Sequence, residues 1–577
     1  MSRTSPGPAS KTIAERLQIL YAPPDAIAAE SAIQALIAEF QTRIQAQPYE
    51  LNSRDVILIT YGDQIHRPGQ ASLQTLREFL NENVRDAINS VHILPFYPYS
   101  SDDGFSVIDY LAVNPRLGRW ENIEEFRADG YRLMFDCVIN HISQHSHWFR
   151  KYLECDPEYA EYFTHVDPST DLSQVVRPRT TSLLTDFTDA LGRQRSIWCT
   201  FSADQVDLNY ANYRVLVSVL RVLLEYVARG ATFIRLDAIA FVWKIIGTGC
   251  VHLQQTHEVI QLMREVLHQV APEVIIITET NVPHKENISY FGNGEDEAQM
   301  VYNFALPPLL AYSILKGETT VITEWARTLE LPGDRVCFFN FTASHDGVGL
   351  RPVQDILPVE DINFLVHTAE LHGGRVSYRA TPEGPPSPYE INCNYLDLLT
   401  HPDESDDLRV AHMLLSQAVA LAMPGVPGIY FHSLVGSRNY LAGVERTGVN
   451  RAINREKLEL ADLERDLANP ETLRARIFTQ YRRLIQIRAA QPAFAPYGPF
   501  AFPETVAGVF AIQRFARDSK QEILALHNFT GRPCPYPVPA DWPAAISELI
   551  HAKTIETENG RLKLAPYQIA WLSRSSS

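Results

Sequence analysis

The chain has 577 residues, 45% of them hydrophobic and 21% charged, which is ordinary globular composition but too much chain for one core. Its 51 Lys and Arg stand against 68 Asp and Glu, a formal charge of −17. Such a balance excludes the basic stripes that displace counterions from nucleic acid, and it disfavours an anionic membrane surface as a partner.

The first residues, Met1-Ser2-Arg3-Thr4-Ser5-Pro6, have no apolar segment behind them, so a secretory signal is not expected. No run of about 20 apolar residues predicts a bilayer span. The seven cysteines are scattered, odd in number and without a CxxC pair. They read as thiols of a reducing cytoplasm rather than as a disulfide scaffold or a zinc site.

After a polar, Ser- and Pro-rich tail, helical periodicity runs through Ala32–Phe40, and an N-terminal helical extension is expected over residues 1–50. Short apolar runs follow at Val56–Thr60, Val91–Phe96, Arg132–Val138, Thr232–Leu236, Val274–Thr278, Met300–Phe304, Val336–Phe341 and Gly428–Phe431. They are continuous rather than alternating, as suits strands covered on both faces. Amphipathic helices separate several of them, among them Tyr213–Ala228 and His257–Val270.

This alternation predicts a (β/α)8 TIM barrel over residues 51–494. A doubly wound α/β fold is the rival, but Tyr61-Gly62-Asp63-Gln64 after the first run is not its glycine-rich phosphate turn. Insertions at about 142–205 and 347–400 follow the third and seventh runs. They belong to the face where barrel enzymes build their sites. From residue 495 to 577 the runs Ala507–Phe515, Glu522–Phe529 and Gln568–Leu572 predict a C-terminal antiparallel β domain.

The strand ends carry the chemistry. The third ends in Asp136-Cys137-Val138-Ile139-Asn140-His141, and the fourth in Arg235-Leu236-Asp237. The fifth runs into Glu279-Thr280-Asn281, and the seventh leads to Ser344-His345-Asp346-Gly347. Charge at the end of a buried apolar strand is costly unless it is paired or used. Asp136 and Asn140 read as residues that hold loops in place. The others read as a catalytic rim.

In their order and strand placement, Asp136–His141, Gly230–Ala238, Glu279 and His345-Asp346 resemble the four signature regions of the α-amylase family of retaining α-glycosidases and transglycosidases. The resemblance covers roughly residues 50 to 577. It implies that Asp237 is the nucleophile, Glu279 the general acid/base and Asp346 the third carboxylate. Arg235 would keep the nucleophile ionised, and His141 and His345 would bond glucosyl hydroxyls. The physics agrees: double displacement needs one charged and one protonated carboxyl about 5 Å apart. An arginine two residues before Asp237 on a strand points to the same face.

Within the family the chain is similar to the sucrose-phosphorylase subfamily. The marks are Ile93–Pro98, Ser101–Ser106, Gln205–Asn209, Ala343–Leu350 and Ile453-Asn454-Arg455. By this match Asp102 and Arg455 grip the far glucosyl hydroxyls, and Phe105 offers a ring face. The implied reaction is cleavage of an α-glucoside by inorganic phosphate to α-glucose 1-phosphate, with no cofactor and no metal. Phosphate requires a local cation despite the acidic total. Arg177 and Arg179 are the candidates, Arg179 matching an acceptor-binding arginine.

The chain departs from sucrose phosphorylases at Glu390, Asn281 and Phe241, where they carry a glutamine, a histidine and a tyrosine. All three positions surround the leaving-group pocket, which points away from sucrose. The amino-terminal extension and the segments Val376-Ser377-Tyr378 and Ser387-Pro388-Tyr389-Glu390 are more similar to phosphorylases of glucosylglycerate. Glycerate would meet Arg177, Arg179, Arg375 or Arg379; in a glucosylglycerol enzyme Glu390 would accept the glycerol hydroxyl bonds. Sucrose, sucrose 6′-phosphate and plain hydrolysis stay open as alternatives.

Overall fold

The computed structural model describes residues 11–45, 48–379, 385–504, 506–518, 520–543 and 545–575. The polar tail at residues 1–10 and Pro382-Glu383-Gly384 of the second insertion lie outside them. Eight short strands line one barrel: β1 (Ile57–Thr60), β2 (Ser90–Ile93), β3 (Arg132–Val138), β4 (Ala231–Asp237), β5 (Ile275–Thr278), β6 (Met300–Tyr302), β7 (Cys337–Phe341) and β8 (Gly425–Tyr430). Each is parallel to its neighbours in chain order, and β1 pairs with both β2 and β8. That closure overturns the doubly wound rival, whose sheet stays open. The burial of nearly every strand residue explains why the runs lack alternation.

The predicted runs match the strands to within three residues. β8 begins three residues before the predicted Gly428 because the pattern stops at Pro427. A proline cannot donate to a ladder, so it reads as a strand break. Here Pro427 lies opposite Asn340 of β7 and is tolerated.

Two helices precede the barrel, α1 (Ile13–Leu20) and α2 (Pro23–Gln41). Thr12 and Glu15 form a capping box at the start of α1, and Pro23 opens α2. Both pack on the outer ring, against α3 (Tyr213–Ala228) and α4 (Gln254–Val270). The buried Arg16 of α1 pairs with Glu258 of α4 at 2.8 Å, which fixes the extension to the barrel.

The first insertion leaves β3 through an antiparallel pair, His141–Ser143 with Gln205–Asp207. It has a small core of its own around Val166, Val175, Leu183 and Trp198, joined by Cys250. The second insertion is a three-stranded sheet in which Ser387–Asn392 lies between Val348–Gly349 and Arg375–Arg379. Both stand at the C-terminal rim of the barrel.

After residue 495 the chain forms an antiparallel sheet centred on β9 (Val509–Phe515), β10 (Gln521–Asn528) and β11 (Ile569–Ser575). Sequence patterning found these three strands. It missed Cys534–Pro537, Ala545–Glu548, Lys553–Glu556 and Arg561–Leu564, which are only four residues each and bury at most every second residue. All seven cysteines are free. No helix among the described residues is long and apolar enough to cross a membrane.

Candidate active site

The barrel register brings the rim together. Asp136 on β3 lies opposite Arg235 on β4, and Val138 opposite Asp237. Arg235 and Asp237 are two residues apart on one strand and share a face, so the guanidinium bonds Asp237 at 2.7 Å. The same guanidinium pairs with Asp136 and stands 3.9 Å from Glu279 at the end of β5. His92 on β2 holds the other oxygen of Asp136 at 2.6 Å. Burial alone would push the Asp136 carboxyl up, but His92 and Arg235 bring it down to about 2. Asp136 is therefore a fixed anion that positions Arg235, in keeping with a holding role.

After Asp237 the chain turns sharply. Ala238 takes a left-handed φ of +48°, and its N–H donates to Glu279 at 3.0 Å. This strained residue ties the end of β4 to the end of β5. Burial pushes the Glu279 carboxyl up, Arg235 pulls it back, and Asp237 and Asp346 push again, leaving it at about 7. Burial raises Asp237 too, against the pull of Arg235. The two carboxyls are coupled, and a single proton goes to the one farther from the guanidinium. Arg235 is 2.7 Å from Asp237 and 3.9 Å from Glu279, so Glu279 keeps the proton and Asp237 the charge.

Asp346 sits in the loop after β7. Arg451 pairs with it, and Arg455 stands at 3.8 Å. Burial opposes its charge, but Arg451, His345 and Arg455 hold its carboxyl well below the usual range. Asn454 donates to the carbonyls of Ser344 and Asp346 at 3.1 and 3.0 Å and so fixes that loop. Arg455 donates to the His345 carbonyl at 2.7 Å and faces Asp102 at 3.6 Å.

One side of the cleft is walled by aromatic faces. Phe105 stacks on His345 with ring centroids 4.6 Å apart and planes 1° from parallel. Burial pushes the His345 imidazole well below its usual range, so the ring is neutral. Both His141 and Gln205 meet the Phe105 carbonyl, at 3.0 and 3.2 Å. The loop bearing Phe105 depends on Gly104, whose φ is +118° and where a Cβ would lie 2.6 Å from the Pro95 carbonyl oxygen.

The site is one cleft that opens to solvent. Asp102, Phe105, His141, Arg179, Asp237, Glu279, His345, Asp346 and Tyr389, all expected from sequence, face it. Phe241 and Asn281 face it too.

Glu390 does not meet the expectation. It is buried behind the wall, bound to Arg451 by two hydrogen bonds of 3.0 and 2.7 Å. A carboxylate engaged by both arms of a guanidinium has little left for an acceptor hydroxyl. Glu390 instead orients the arginine that holds Asp346. Arg455 and Arg235 likewise stand behind the carboxylates. Arg177 turns back onto the Thr181 carbonyl, Arg375 onto Gly374 at 2.9 Å, and Arg379 bonds Ser387 at 3.1 Å.

Sequence reasoning missed Phe201, Arg351 and Arg451, which also line the cleft. Arg451, four residues before Arg455, and Arg351, five after Asp346, were visible as nearby charges but had no strand end to mark them.

Among the described residues no cluster of His, Cys, Asp and Glu suits a metal ion. Asn140 and Asp207 face a cation of the chain's own: the Lys244 ammonium stands 3.1 and 2.8 Å from them.

Comparison with known proteins places this geometry. Residues 86–332 match the family model described as alpha amylase, catalytic domain. The chain is 44% identical to a glucosylglycerate phosphorylase of Spirochaeta thermophila, over 97% of this chain and 98% of that one. It is 46% identical to a glucosylglycerate phosphorylase of Escherichia coli strain K12, over 80% and 83%. The crystal structure of sucrose 6F-phosphate phosphorylase from Thermoanaerobacter thermosaccharolyticum superposes with a TM-score of 0.72 at 22% identity, covering 89% of this chain and 98% of that one. That last likeness shows a shared fold.

Proposed function

This chain belongs to the α-amylase family, and we propose that it is a retaining glycoside phosphorylase that moves the α-glucosyl unit of glucosylglycerate to inorganic phosphate, releasing glycerate and α-D-glucose 1-phosphate. The carrying observation is the 44% identity to a curated glucosylglycerate phosphorylase along nearly the whole of both chains. The three carboxylates and their arginines supply the chemistry.

In the first step an oxygen of Asp237 attacks the anomeric carbon. The bond to the glycerate oxygen breaks, and Glu279 gives that oxygen its proton. The Asp237 ester then holds the glucosyl unit with inverted configuration. In the second step a phosphate oxygen attacks the same carbon, the ester bond breaks, and Glu279 recovers a proton from the phosphate. Two inversions return the α anomer. Asp346, held by Arg451, accepts bonds from sugar hydroxyls as the ring flattens. Asp102 acts at the far hydroxyls, with Phe105 and His345 against the ring, while Arg455 fixes the His345–Asp346 loop from behind. Arg179 and Tyr389 stand on the acceptor side.

The test is product analysis of glucosylglycerate incubated with the protein, with and without phosphate. α-Glucose 1-phosphate and glycerate should form in equal amounts. Free glucose dominating at millimolar phosphate would make the protein a hydrolase, and a β-phosphate product would overturn the double displacement.

A further inference from the structure

Arg351 lies in a short turn, Arg351–Val353, just beyond the edge strand Val348–Gly349 of the second insertion. The sheet sets its position: Gly349 pairs with Glu390, and the Leu350 N–H donates to the Tyr389 carbonyl at 3.0 Å. Gly349 also brings the strand close to Asn281, because a Cβ there would lie 2.5 Å from the Asn281 Oδ1. Arg351 and Asn281, the latter two residues past Glu279, both line the cleft.

Among the described residues, no hydrogen bond or ion pair holds its guanidinium, and its Nε is sealed from solvent with no partner. Burial lowers its proton affinity, and the nearby Arg379 lowers it further. Glu286 offsets this in part from a distance, but no described carboxylate pairs directly with Arg351, and a half-buried cation without a direct partner is a cost to the free protein. Arg177, Arg375 and Arg379 differ, each being occupied within its own loop. Across Tyr389, Arg179 lies against aromatic faces, 5.2 Å from that ring and 5.8 Å from Phe201, with no carboxylate partner among the described residues.

We infer that Arg351 is a specificity-determining residue whose guanidinium receives the carboxylate of a small hydroxy-acid acceptor, glycerate in the reading proposed above, on which this inference rests. The fork of Arg351 offers a carboxylate two parallel bonds that glycerol cannot accept as an anion. Arg351 acts on binding, and the bond chemistry stays with Asp237 and Glu279.

Acceptor kinetics in the synthetic direction, with α-glucose 1-phosphate as donor, provide the test on wild type, Arg351→Gln and Arg351→Lys. The glycerate-to-glycerol preference in kcat/KM should fall about ten- to a hundredfold in Arg351→Gln, through KM for glycerate. Arg351→Lys, which keeps the charge without the fork, should recover part of it. An unchanged preference would overturn the inference. So would an equal loss for glycerate, glycerol and water in both variants, which marks a structural residue, or a rise in KM for phosphate without a change in acceptor preference. A wild type that does not glucosylate glycerate at all would instead refute the proposed function itself.

Discussion

On one side of the cleft Asp237, Glu279 and Asp346 stand at or just past strand ends and share Arg235, Arg451 and Arg455. On the other side Arg179, Arg351 and Tyr389 come from the two insertions, and the two guanidiniums have no carboxylate partner among the described residues. On the first side each charge already stands against an opposite charge before any substrate arrives. The second is completed by what binds. A barrel can therefore keep its bond chemistry on strand ends while its acceptor changes with the loops.

The sharpest break falls on the paired side. Asp237→Asn should lower turnover by several orders of magnitude with the thermal melting point unchanged. A loss below about tenfold in steady-state phosphorolysis would remove Asp237 as the nucleophile.

Glu279→Gln should cost about 10²–10⁴ in phosphorolysis. The wild type carries the matching pH signature. Glu279 is raised to about 7, and in the proposed mechanism its protonated form is the active acid. Phosphorolytic kcat/KM should therefore fall about tenfold per unit above pH 7, with a separate acidic limb where Asp237 takes up its proton. Activity already falling with rising pH through the ordinary carboxylate range, near pH 4 to 5, would contradict this assignment.

Arg179→Ala probes the unpaired side and should reduce glycerate use about ten- to a hundredfold more than glycerol use. Weakened phosphate binding should accompany it, since both anions visit that side in turn. An acceptor panel of glycerate, glycerol, fructose and fructose 6-phosphate measures the first effect, and phosphate KM the second.

The smallest change in preference should come from Glu390→Gln. It leaves Arg451 with one fewer charged partner, so melting temperature should fall and all acceptors should slow together. A selective change between glycerate and glycerol would return Glu390 to the acceptor pocket.

The convergence of Asp237, Glu279 and Asp346 on one cleft was legible because each follows a continuous apolar run. Charge at such a place has few bland explanations. Glu390 was misread for the opposite reason. It lies on an insertion strand where alternate residues face opposite ways, and nothing local says that Arg451 waits behind it, 61 residues along the chain. Arg351 carried no signal in sequence beyond being a charge in a turn.

The amino-acid sequence by itself determined the barrel, the order of its strands and the residues at their ends. Local apolar runs, helix periodicity and turn residues act over a few residues and so can be read in one dimension. Tertiary structure decided which charges meet. The β3–β4 register set Asp136 against Arg235, the insertion sheet put Glu390 behind the wall, and Gly349 let the insertion strand that leads to Arg351 approach Asn281. An ion pair depends on distances of a few ångströms between residues far apart in sequence, and only the folded chain sets those distances.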